Sequence, residues 1–488
     1  MSKLIRLAVE DRAFLEGVRR CAFMNPFGSE RQEADRKVAG LEAGEWGEAL
    51  RQLLAELVRR LAAFAGPGGA VDRRAYVAED AVLVSTGILF SVFHANMARF
   101  DGLIQRQMAS GDASCEAPFT GEVFETLLRH GFTTAEAEQD VAFFYQLRRA
   151  FYFISENLSG GSPCMMQLRK RLWDNIFTHD IRWYERGLWS RMEDFSTLLL
   201  GETGTGKGAA AFALGRSGFI PFLSARRLFA ESFTRAFVPI NLSQYPETLI
   251  ESELFGHRKG AFTGAVEKHD GVFSRCSPHG AIFLDEIGDV AETVQIKLLQ
   301  VLQQRVFSPV GSHEARRFEG RVIAATNRNL GELRREGRFR DDFFYRLCSD
   351  QIEVPPLRQR LSEEPSELDL LVGHMLRRLC GEADGTVRAS VLEALDSGVG
   401  RAYAWPGNVR ELEQAVRCIL LTGRYQGDAC AQGGEAGWIA AASRGELTVR
   451  ALTAGYCRSL FGRYGRYEEV AKRTGLDWRT VKKYVEEP

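Results

Sequence analysis

Eight residues in the middle of the chain could bind phosphate. The run Gly201 to Lys207 follows an apolar stretch, and its glycines let backbone N–H groups approach phosphate oxygens at a helix N-terminus. Lys207 is placed to reach β- and γ-phosphates, whereas Gly208 stands where Ser or Thr would contact Mg²⁺. A tight glycine turn without a ligand is the alternative. We predict an ATP site built from Gly201, Glu202, Thr203, Gly204, Thr205, Gly206, Lys207 and Gly208.

Two carboxylates end the apolar run 281–285. Asp285 and Glu286 would be costly at the end of a buried strand unless they serve a cation or a catalytic water. We therefore predict that Asp285 holds Mg²⁺ through water and that Glu286 orients and polarises the water that attacks ATP. A pair that merely caps a helix is the alternative.

A glycine-framed segment lies between these two motifs. It reads Gly260, Ala261, Phe262, Thr263, Gly264 and Ala265. The flanking glycines permit a hairpin-like excursion with Phe262 and Thr263 at an exposed tip. Such a tip has no catalytic role of its own, and an exposed Phe favours a partner surface, so we interpret it as a part that the ATPase moves. A buried plug is the alternative.

The C-terminal tail has the spacing of a helix-turn-helix. Gly475 lies at the turn, and Leu476 and Val481 are predicted core residues. The second helix is predicted to show four residues suited to phosphates and base edges: Arg479, Thr480, Lys482 and Lys483. A purely solvated basic face is the alternative.

The elements that position these residues indicate several domains. Residues 1–157 show helical spacing, and from 158 to about 358 apolar strand-like runs alternate with helical segments. This alternation predicts a parallel sheet with helices on both faces and ligands at the carboxyl ends of the strands. Predicted strands are 195–200, 237–241, 281–285 and 321–326. We predict a helical domain (1–157), an α/β domain (158–358), a helical lid (359–425), a linker (426–445) and a helix-turn-helix domain (446–488).

Bulk composition favours a cytoplasmic protein. The 488 residues carry a formal charge of −1, so any DNA contact must come from a local basic patch. The nine cysteines are scattered and lack the spacing of metal ligands, so we expect them to be reduced thiols. The first residues are too quickly interrupted by charge for a signal peptide, and the best apolar run, 81–93, is shorter than the ~20 residues that span a bilayer. No membrane partner is expected.

The order of these motifs resembles that of the bacterial enhancer-binding proteins, the AAA+ activators of sigma-54 RNA polymerase. The 260–265 hexapeptide carries the resemblance, which extends from near Gly161 to the end of the chain. It implies an AAA+ P-loop ATPase domain with a helical lid and a Fis-like helix-turn-helix. It also implies that residues 260–265, with Phe262 and Thr263 foremost, contact sigma-54.

Further site residues follow only from this resemblance. Asn241 matches the asparagine that holds the catalytic glutamate, although Leu242 replaces the family's Cys. Asn327 matches a γ-phosphate sensor, and Arg410 matches the lid arginine that senses nucleotide. Arg340 and Arg346 match the arginines that enter the neighbouring subunit's site. The active form would therefore be a ring, a hexamer built from dimers.

The resemblance implies a sigma-54-dependent activator that binds upstream enhancer DNA. ATP hydrolysis, with Mg²⁺, would convert closed complexes of sigma-54 RNA polymerase into open ones. One alternative is an AAA+ remodelling ATPase acting on another protein. A second is a DNA-binding regulator that only senses nucleotide. Two departures from the family are an extended stretch, 216–237, and an insertion at 361–367. The first could be a subunit contact or a longer surface loop, and we favour the surface loop.

The first 157 residues carry no chemistry motif. We predict from their position that they control the ATPase. Aromatic clusters at 143–145 and 151–153 could line a ligand pocket, and packing is the favoured interpretation. The signal, target genes and operator sequence are not readable.

Overall fold

The computed structural model of the chain describes residues 4–42, 46–66, 68–381, 385–401, 403–427, 442 and 447–486. These residues form two compact units, Met1–Glu367 and Leu368–Pro488. Most of the predicted 426–445 linker lies outside the described residues.

The first unit begins with helices, as the spacing of apolar residues predicts. The longest helix, α4, is only weakly amphipathic, because other helices of the bundle pack against it on several sides. α6 starts with a capping box in which Thr133 and Glu136 bond each other's backbone N–H groups. The helices are α1 (Val9–Phe23), α2 (Ser29–Ala39), α3 (Trp46–Phe64), α4 (Ala78–Ser110), α5 (Phe119–Arg129), α6 (Thr134–Asn157), α7 (Pro163–Phe177) and α8 (Ile181–Arg186), with 3₁₀ turns at Arg73–Ala75, Leu188–Ser190 and Met192–Asp194.

Helix α4 is longer than its apolar run suggested. It continues past His94 to Ser110. Of the helices in the described part of the chain, only α4 is long and apolar enough to cross a bilayer by length and composition. Its buried residues, which include Leu83, Ile88 and Phe100, belong to the hydrophobic core that the N-terminal helices share. The helix therefore serves here as the central helix of a bundle.

A five-stranded parallel sheet follows, with strand order β4-β5-β8-β1-β9. The four predicted strands are present, and β9 is an additional edge strand. It reads Asp-Gln-Ile-Glu and buries only Ile352, so hydrophobicity could not reveal it. The strands are β1 (Thr197–Leu200), β2 (Phe222–Leu223), β3 (Leu228–Phe229), β4 (Phe237–Asn241), β5 (Ala281–Asp285), β6 (Val306–Phe307), β7 (Arg316–Arg317), β8 (Arg321–Thr326) and β9 (Asp350–Glu353); β2–β3 and β6–β7 are small antiparallel pairs.

Side chains alternate between the two faces of the sheet. Leu199 and Phe283 point into the core shared with the N-terminal helices, whereas Leu198 and Ile282 point into a second core beneath the other helices. Those helices are α9 (Lys207–Gly215), α10 (Glu247–Phe255), α11 (Val272–Arg275), α12 (Glu292–Gln304), α13 (Leu330–Arg335), α14 (Asp341–Leu347) and α15 (Leu357–Glu363), with 3₁₀ turns at Leu242–Gln244 and Ile287–Asp289. The parallel sheet therefore has a hydrophobic core on each face, as the alternation of strand-like and helical runs predicts.

The extended stretch 216–237 is not a surface loop, so that prediction was wrong. It forms the β2–β3 hairpin and packs into the N-terminal bundle, where Phe233 is fully buried and the Phe229 ring stacks on Tyr145 at 4.0 Å. Arg149 of α6 donates to the carbonyl oxygens of Arg216 (2.6 Å) and Gly218 (2.7 Å). Arg226 and Arg227 lie at the exposed turn of the hairpin, while Phe222, Phe229 and Phe233 are buried.

Residues 159–163, which lead from α6 into α7, form a packed turn. The backbone N–H of Ser162 donates to Glu367 (3.0 Å), and Arg360 donates to both Ser159 O (2.7 Å) and Glu367 (2.5 Å). Arg360, Glu367 and Ser162 are all buried. The 361–367 insertion thus contributes the carboxylate that holds this turn. The domain division at 157/158 stays a prediction, since one hydrophobic core runs across it.

Replacing Arg149 with Met is expected to destabilise the first unit by roughly 2–4 kcal/mol, because two partly buried carbonyl groups lose a buried, charged donor. Urea unfolding followed by the fluorescence of buried tryptophan measures this change. Arg129→Met, at an exposed position whose side chain bonds only Thr126, is the matched control and should cost no more than about 0.5 kcal/mol. Equal effects of the two substitutions would contradict a structural role for Arg149.

The described residues of the second unit form helices and connecting turns, without a strand. α16 (Glu367–Cys380) leads into it, followed by α17 (Gly385–Gly398) and α18 (Asn408–Thr422). Three C-terminal helices share a small core around Cys457, Leu460, Val470 and Val481. They are α19 (Val449–Tyr464), α20 (Tyr467–Thr474) and α21 (Trp478–Glu486), and Gly475 (φ +70°) ends α20.

Candidate nucleotide site and the loop beside it

The predicted phosphate loop joins β1 to α9 at the carboxyl edge of the sheet. Gly201 has φ +156°, and a Cβ there would lie 2.8 Å from Val354 O, so only glycine fits. Gly204 and Gly206 also have positive φ values. Lys207 is buried, and its Nζ donates to the carbonyl oxygens of Gly201 (2.8 Å) and Glu202 (3.0 Å). Backbone and lysine are arranged as phosphate binding requires.

Gly208 lies in the first turn of α9 with open space where a Cβ would be. A Ser, Thr or Glu would fit at this position, so packing does not require a glycine here. The chain therefore offers no side-chain hydroxyl at this place for Mg²⁺.

The carboxylates after β5 face this loop. Glu286 adopts a left-handed conformation (φ 57°, ψ 45°), uncommon for a residue with a side chain, and its N–H donates to Asp285 Oδ1 (3.1 Å). Its Oε2 is buried and bonds no atom of the described residues. Burial, and then the charge of Asp285, raise the pKa of Glu286, while Lys207 lowers it. A carboxylate oxygen left without a donor fits a water or a hydrated cation.

The residues present fit a Mg²⁺ ion whose ligands come partly from the protein and partly from bound phosphates. Mg²⁺ is held in such sites by one or two carboxylates together with substrate phosphates and water, and Asp285 and Glu286 supply the carboxylates. The described residues contain no cluster of three or more His, Cys, Asp or Glu that could hold a metal unaided.

Asn241 contacts a different carboxylate from the one that the resemblance implied. Its side-chain amide lies 3.5 Å from Asp285 Oδ2 rather than on Glu286. Its Oδ1 accepts from Ser243 N (3.0 Å) and so opens the 3₁₀ turn Leu242–Gln244. Asn241 and Asp285 are register partners at the ends of adjacent strands, which makes their contact a direct result of the β4–β5 pairing.

Asn327 lies at the end of β8, beside the phosphate loop, and its amide donates to Thr203 (2.8 Å). Two residues that the sequence did not single out complete this edge of the site. Arg358 forms an ion pair with Glu202 (2.5 Å), and Arg328 one with Asp289 (3.0 Å). Neither belongs to a motif, and only the fold brings each to its acidic partner.

The two predicted trans-acting arginines have different settings. Arg340 is held on the surface by Asp342 (2.9 Å) and Glu292 (2.9 Å), which raise its pKa. Arg346 is half-buried and donates to Leu302 O (2.7 and 2.9 Å), a carbonyl in the last turn of α12. The exposed ion pairs of Arg340 contribute little stability, so this side chain can change partners at low cost. Arg346 would have to break its hydrogen bonds to the C-terminus of α12 before it could contact a neighbouring molecule.

The 258–266 segment is a tight loop that projects from the ATPase core. The Gly260 N–H donates to Ala265 O (2.8 Å), and Ala265 is buried. Phe262 is 38% exposed, with its ring 4.9 Å from that of His257. Thr263 is exposed at the tip. The predicted exposed tip is present, although the Phe262 ring packs against His257, where the loop begins.

Both ends of this loop are anchored. His257 pairs through its backbone with His269, and Arg258 N donates to Val310 O (3.1 Å). A Cβ at Gly311 would come within 2.8 Å of the Ala261 Cβ, so the turn between β6 and β7 supports the loop closely. The loop can therefore move with its base as one piece.

The remaining predicted residues lie in the second unit. Arg410 is exposed in the first turns of α18. Arg479, Lys482 and Lys483 are exposed on α21, and Thr480 is half-buried. Their roles toward nucleotide and DNA stay predictions.

Comparison with known proteins identifies the central part of the chain. Residues 186–353 match the family model described as the Sigma-54 interaction domain. Transcriptional regulatory protein ZraR of Salmonella typhimurium is 42% identical over 234 residues, which are 48% of this chain and 49% of ZraR. DNA-binding transcriptional regulator NtrC of Azospirillum brasilense is 43% identical over 224 residues, 46% of this chain and 42% of NtrC.

Among solved structures, NtrX from Brucella abortus resembles 75% of this chain and 78% of its own, with 21% identity and a TM-score of 0.40. The chain spans about half the length of the curated relatives it matches.

Proposed function

We propose, from the match of residues 186–353 to the Sigma-54 interaction domain, that the chain is a sigma-54-dependent transcriptional activator. It binds upstream DNA and uses ATP hydrolysis to convert closed complexes of sigma-54 RNA polymerase into open ones. The observation that carries this proposal is the 258–266 loop, whose exposed Thr263 and partly exposed Phe262 project from a P-loop ATPase core.

Hydrolysis rests on residues at the carboxyl edge of the sheet. Lys207 and the glycine loop bind the phosphates, Asn327 lies where it can contact the γ-phosphate, and Glu286 orients and deprotonates the attacking water. Bound Mg²⁺, held by Asp285, would neutralise phosphate charge. Burial raises the pKa of Glu286, which makes it a stronger proton acceptor than an exposed Glu.

A continuous path joins this site to the loop. Asn241 contacts Asp285 and opens the turn Leu242–Gln244, after which α10 runs directly to His257 at the base of the loop. Loss of the γ-phosphate changes the charge that the carboxylates face, so Asn241 can shift and α10 can carry that shift to the loop. The ATPase thus moves Phe262 and Thr263 against sigma-54.

The active form is a ring, most simply a hexamer assembled from dimers. The proposal assigns Arg340 and Arg346 to the neighbouring subunit's γ-phosphate and Arg410 to nucleotide sensing in the lid. An arginine supplied in trans contributes about 10³–10⁵ to the rate in related phosphoryl transfers. The surface setting of Arg340, whose acidic partners are exposed, supports this role more than the setting of Arg346 does.

The three C-terminal helices supply DNA binding as a Fis-like helix-turn-helix. Residues 449–486 contain nine Arg and Lys against four Asp and Glu, in a chain with a net charge of −1. Helix α21 presents Arg479, Lys482 and Lys483 to solvent, with Thr480 beside them. A basic exposed helix after a turn glycine fits the major groove of DNA.

Replacing Lys482 and Lys483 together with Ala is expected to weaken DNA binding and to lower the salt slope of log K by about 1–2, because up to two phosphate contacts are lost. Fluorescence anisotropy with labelled duplex at several salt concentrations measures both quantities. Lys268→Ala, an exposed lysine in the first unit, is the matched control. An unchanged slope in the double variant would contradict the assignment of α21.

The N-terminal helices control the ATPase, and the protein works in the cytoplasm. Their shared core with the sheet and the contact between Arg149 and the end of α9 support control. An AAA+ remodelling ATPase with another protein target is the second candidate.

Sigma-54 dependence separates the two candidates. The chain is incubated with ATP, promoter DNA and polymerase carrying either sigma-54 or the primary sigma factor, and open complexes are detected by permanganate reactivity. Opening only with sigma-54 is expected. ATP hydrolysis with no opening on sigma-54 promoters, in the full chain and in a variant lacking residues 1–157, would favour the second candidate.

A further inference from the structure

The N-terminal bundle encloses an apolar cavity of about 380 Å³. It lies between α1, α2, α4 and α6, and its walls are largely aromatic, with Phe90, Phe93, Phe144, Phe151 and Trp173 among them. A cavity of this size and lining is typical of a site for a small organic molecule. Of the aromatic clusters at 143–145 and 151–153, Phe143, Phe144 and Phe151 line the cavity while Tyr145 and Phe153 pack elsewhere.

Two acidic side chains in the wall differ from its basic ones in having no ion-pair partner among the residues that the structure describes. Arg31 and Arg148 are each neutralised by a two-point ion pair, with Asp35 and Asp101. Asp140 and Glu185, by contrast, make no hydrogen bond or ion pair within the described part of the chain.

Asp140 is the inner of these two carboxyls, and Glu185 lies nearer solvent, with only part of its side chain covered. Burial, followed by the charges of Glu185 and Glu136, raises the pKa of Asp140 to about 8, and Arg73 opposes this only partly. Burial also raises the pKa of Glu185, against the nearby charges of Arg19 and Arg186. A carboxyl group with a raised pKa is strongly stabilised in its ionised form when a cation binds beside it.

His94 adds no competing positive charge. Its Nδ1 donates to Phe90 O (2.8 Å), and burial lowers the pKa of its ring to about 4, so the ring is neutral at pH 7. Aromatic faces around the cavity attract an ammonium group further.

Helix α6 connects this cavity to the ATPase. One face carries Asp140, Phe143, Phe144, Leu147 and Phe151 into the cavity wall. The opposite face carries Gln146, which donates to Ser217 O (2.9 Å), Arg149, which donates to Arg216 O, and Phe153, whose ring lies 5.4 Å from Phe212 of α9. Helix α9 starts at Lys207 of the phosphate loop.

From the cavity, its unpaired carboxyls and this helix, we infer that the N-terminal bundle is an effector site for a small aromatic or aliphatic amine. The ammonium group lies between Asp140 and Glu185, and the apolar body fills the aromatic end. Occupancy shifts α6 and thereby α9. The regulatory half of this inference rests on the proposed ATPase, whereas the binding half does not.

Three probes of matched shape test the binding half: tryptamine, tryptophol and indole-3-acetate, titrated into the full chain by isothermal calorimetry. We expect tryptamine to bind at least about tenfold more tightly than the alcohol, and the acid not to bind. Asp140→Asn should remove the preference for tryptamine and leave tryptophol binding unchanged, which also shows that the variant folds. Equal binding of amine and alcohol, or an unchanged tryptamine affinity in Asp140→Asn, overturns the site.

The pH dependence gives a second readout. The carboxylate, guanidinium and imidazole groups that line the two pockets bordering Asp140 are Glu136, Glu185, Arg19, Arg31, Arg73, Arg74, Arg148, Arg182, Arg186 and His94. An amine needs the ionised carboxylate, so wild-type affinity should rise by about tenfold per pH unit from pH 6 and level off near pH 8. A neutral ligand that accepts a hydrogen bond from protonated Asp140 would show the opposite trend, and that result with tryptamine overturns the inference.

The regulatory half is read from ATPase rates with and without saturating tryptamine. A change of at least about twofold in wild type that is absent in Asp140→Asn supports it. Binding with no change in rate overturns the effector role, and a chain that binds tryptamine but hydrolyses no ATP overturns the proposed function instead.

Discussion

Replacing Glu286 with Gln should lower the rate of ATP hydrolysis by at least about 10²-fold while ATP binding persists. Glutamine keeps the size of the side chain but cannot accept a proton from the attacking water, and general bases typically contribute about 10²–10⁴. The left-handed backbone at Glu286 and the buried, unbonded Oε2 indicate a side chain held for a reactant rather than for a structural contact.

Phosphate release at saturating ATP measures this effect, with binding followed separately by a fluorescent nucleotide. Glu319→Gln, at an exposed position paired only with Arg317, is the control and should hydrolyse at the wild-type rate. Wild-type activity should fall with decreasing pH as Glu286 takes up its proton, at a pH above the usual range for Glu because its pKa is raised. A variant within about threefold of wild type would remove Glu286 from the catalytic role.

Sequence and structure agree where a motif is local. The phosphate loop, the two carboxylates after β5 and the projecting hexapeptide could be predicted because each is a short run whose residue types determine its backbone and chemistry. The four predicted strands were recognisable for the same reason, since buried parallel strands are continuous apolar runs.

Contacts between distant segments could not be predicted in this way. A surface loop is the interpretation that we favour from the sequence of stretch 216–237, yet its residues Phe222, Phe229 and Phe233 belong to the core of the N-terminal bundle. The ion pair of Arg358 with Glu202 joins residues 156 positions apart. Asn241 contacts Asp285 rather than Glu286 because strand register, which the sequence does not reveal, makes them neighbours.

The shared core also changes how control by the N-terminal region should be viewed. A domain on a flexible linker would act by blocking or releasing a surface. Here the 159–163 turn is held by buried Arg360 and Glu367, and Arg149 contacts the chain just after α9. A signal can therefore reach the phosphate loop through packed helices, without any separation of domains.

The second large effect is expected at the tip of the 258–266 loop. Thr263 is exposed, lies in no hydrogen bond that holds the loop, and is distant along the chain from every residue assigned to ATP. Its replacement by Ala should leave the loop's anchors at His257 and Val310 intact. Hydrolysis should therefore continue, while the force it generates no longer reaches the polymerase. Val266→Ala, which changes a 73% exposed residue just outside the hexapeptide, is the matched control.

Open-complex formation with sigma-54 polymerase, measured beside ATPase activity in wild type, Thr263→Ala and Val266→Ala, tests the coupling of hydrolysis to promoter opening most directly. We expect Thr263→Ala to hydrolyse ATP within about twofold of wild type and to open less than about a tenth as many promoters, and Val266→Ala to match wild type in both assays. Normal promoter opening by Thr263→Ala would contradict the account, because the loop would then not be the part that acts on sigma-54.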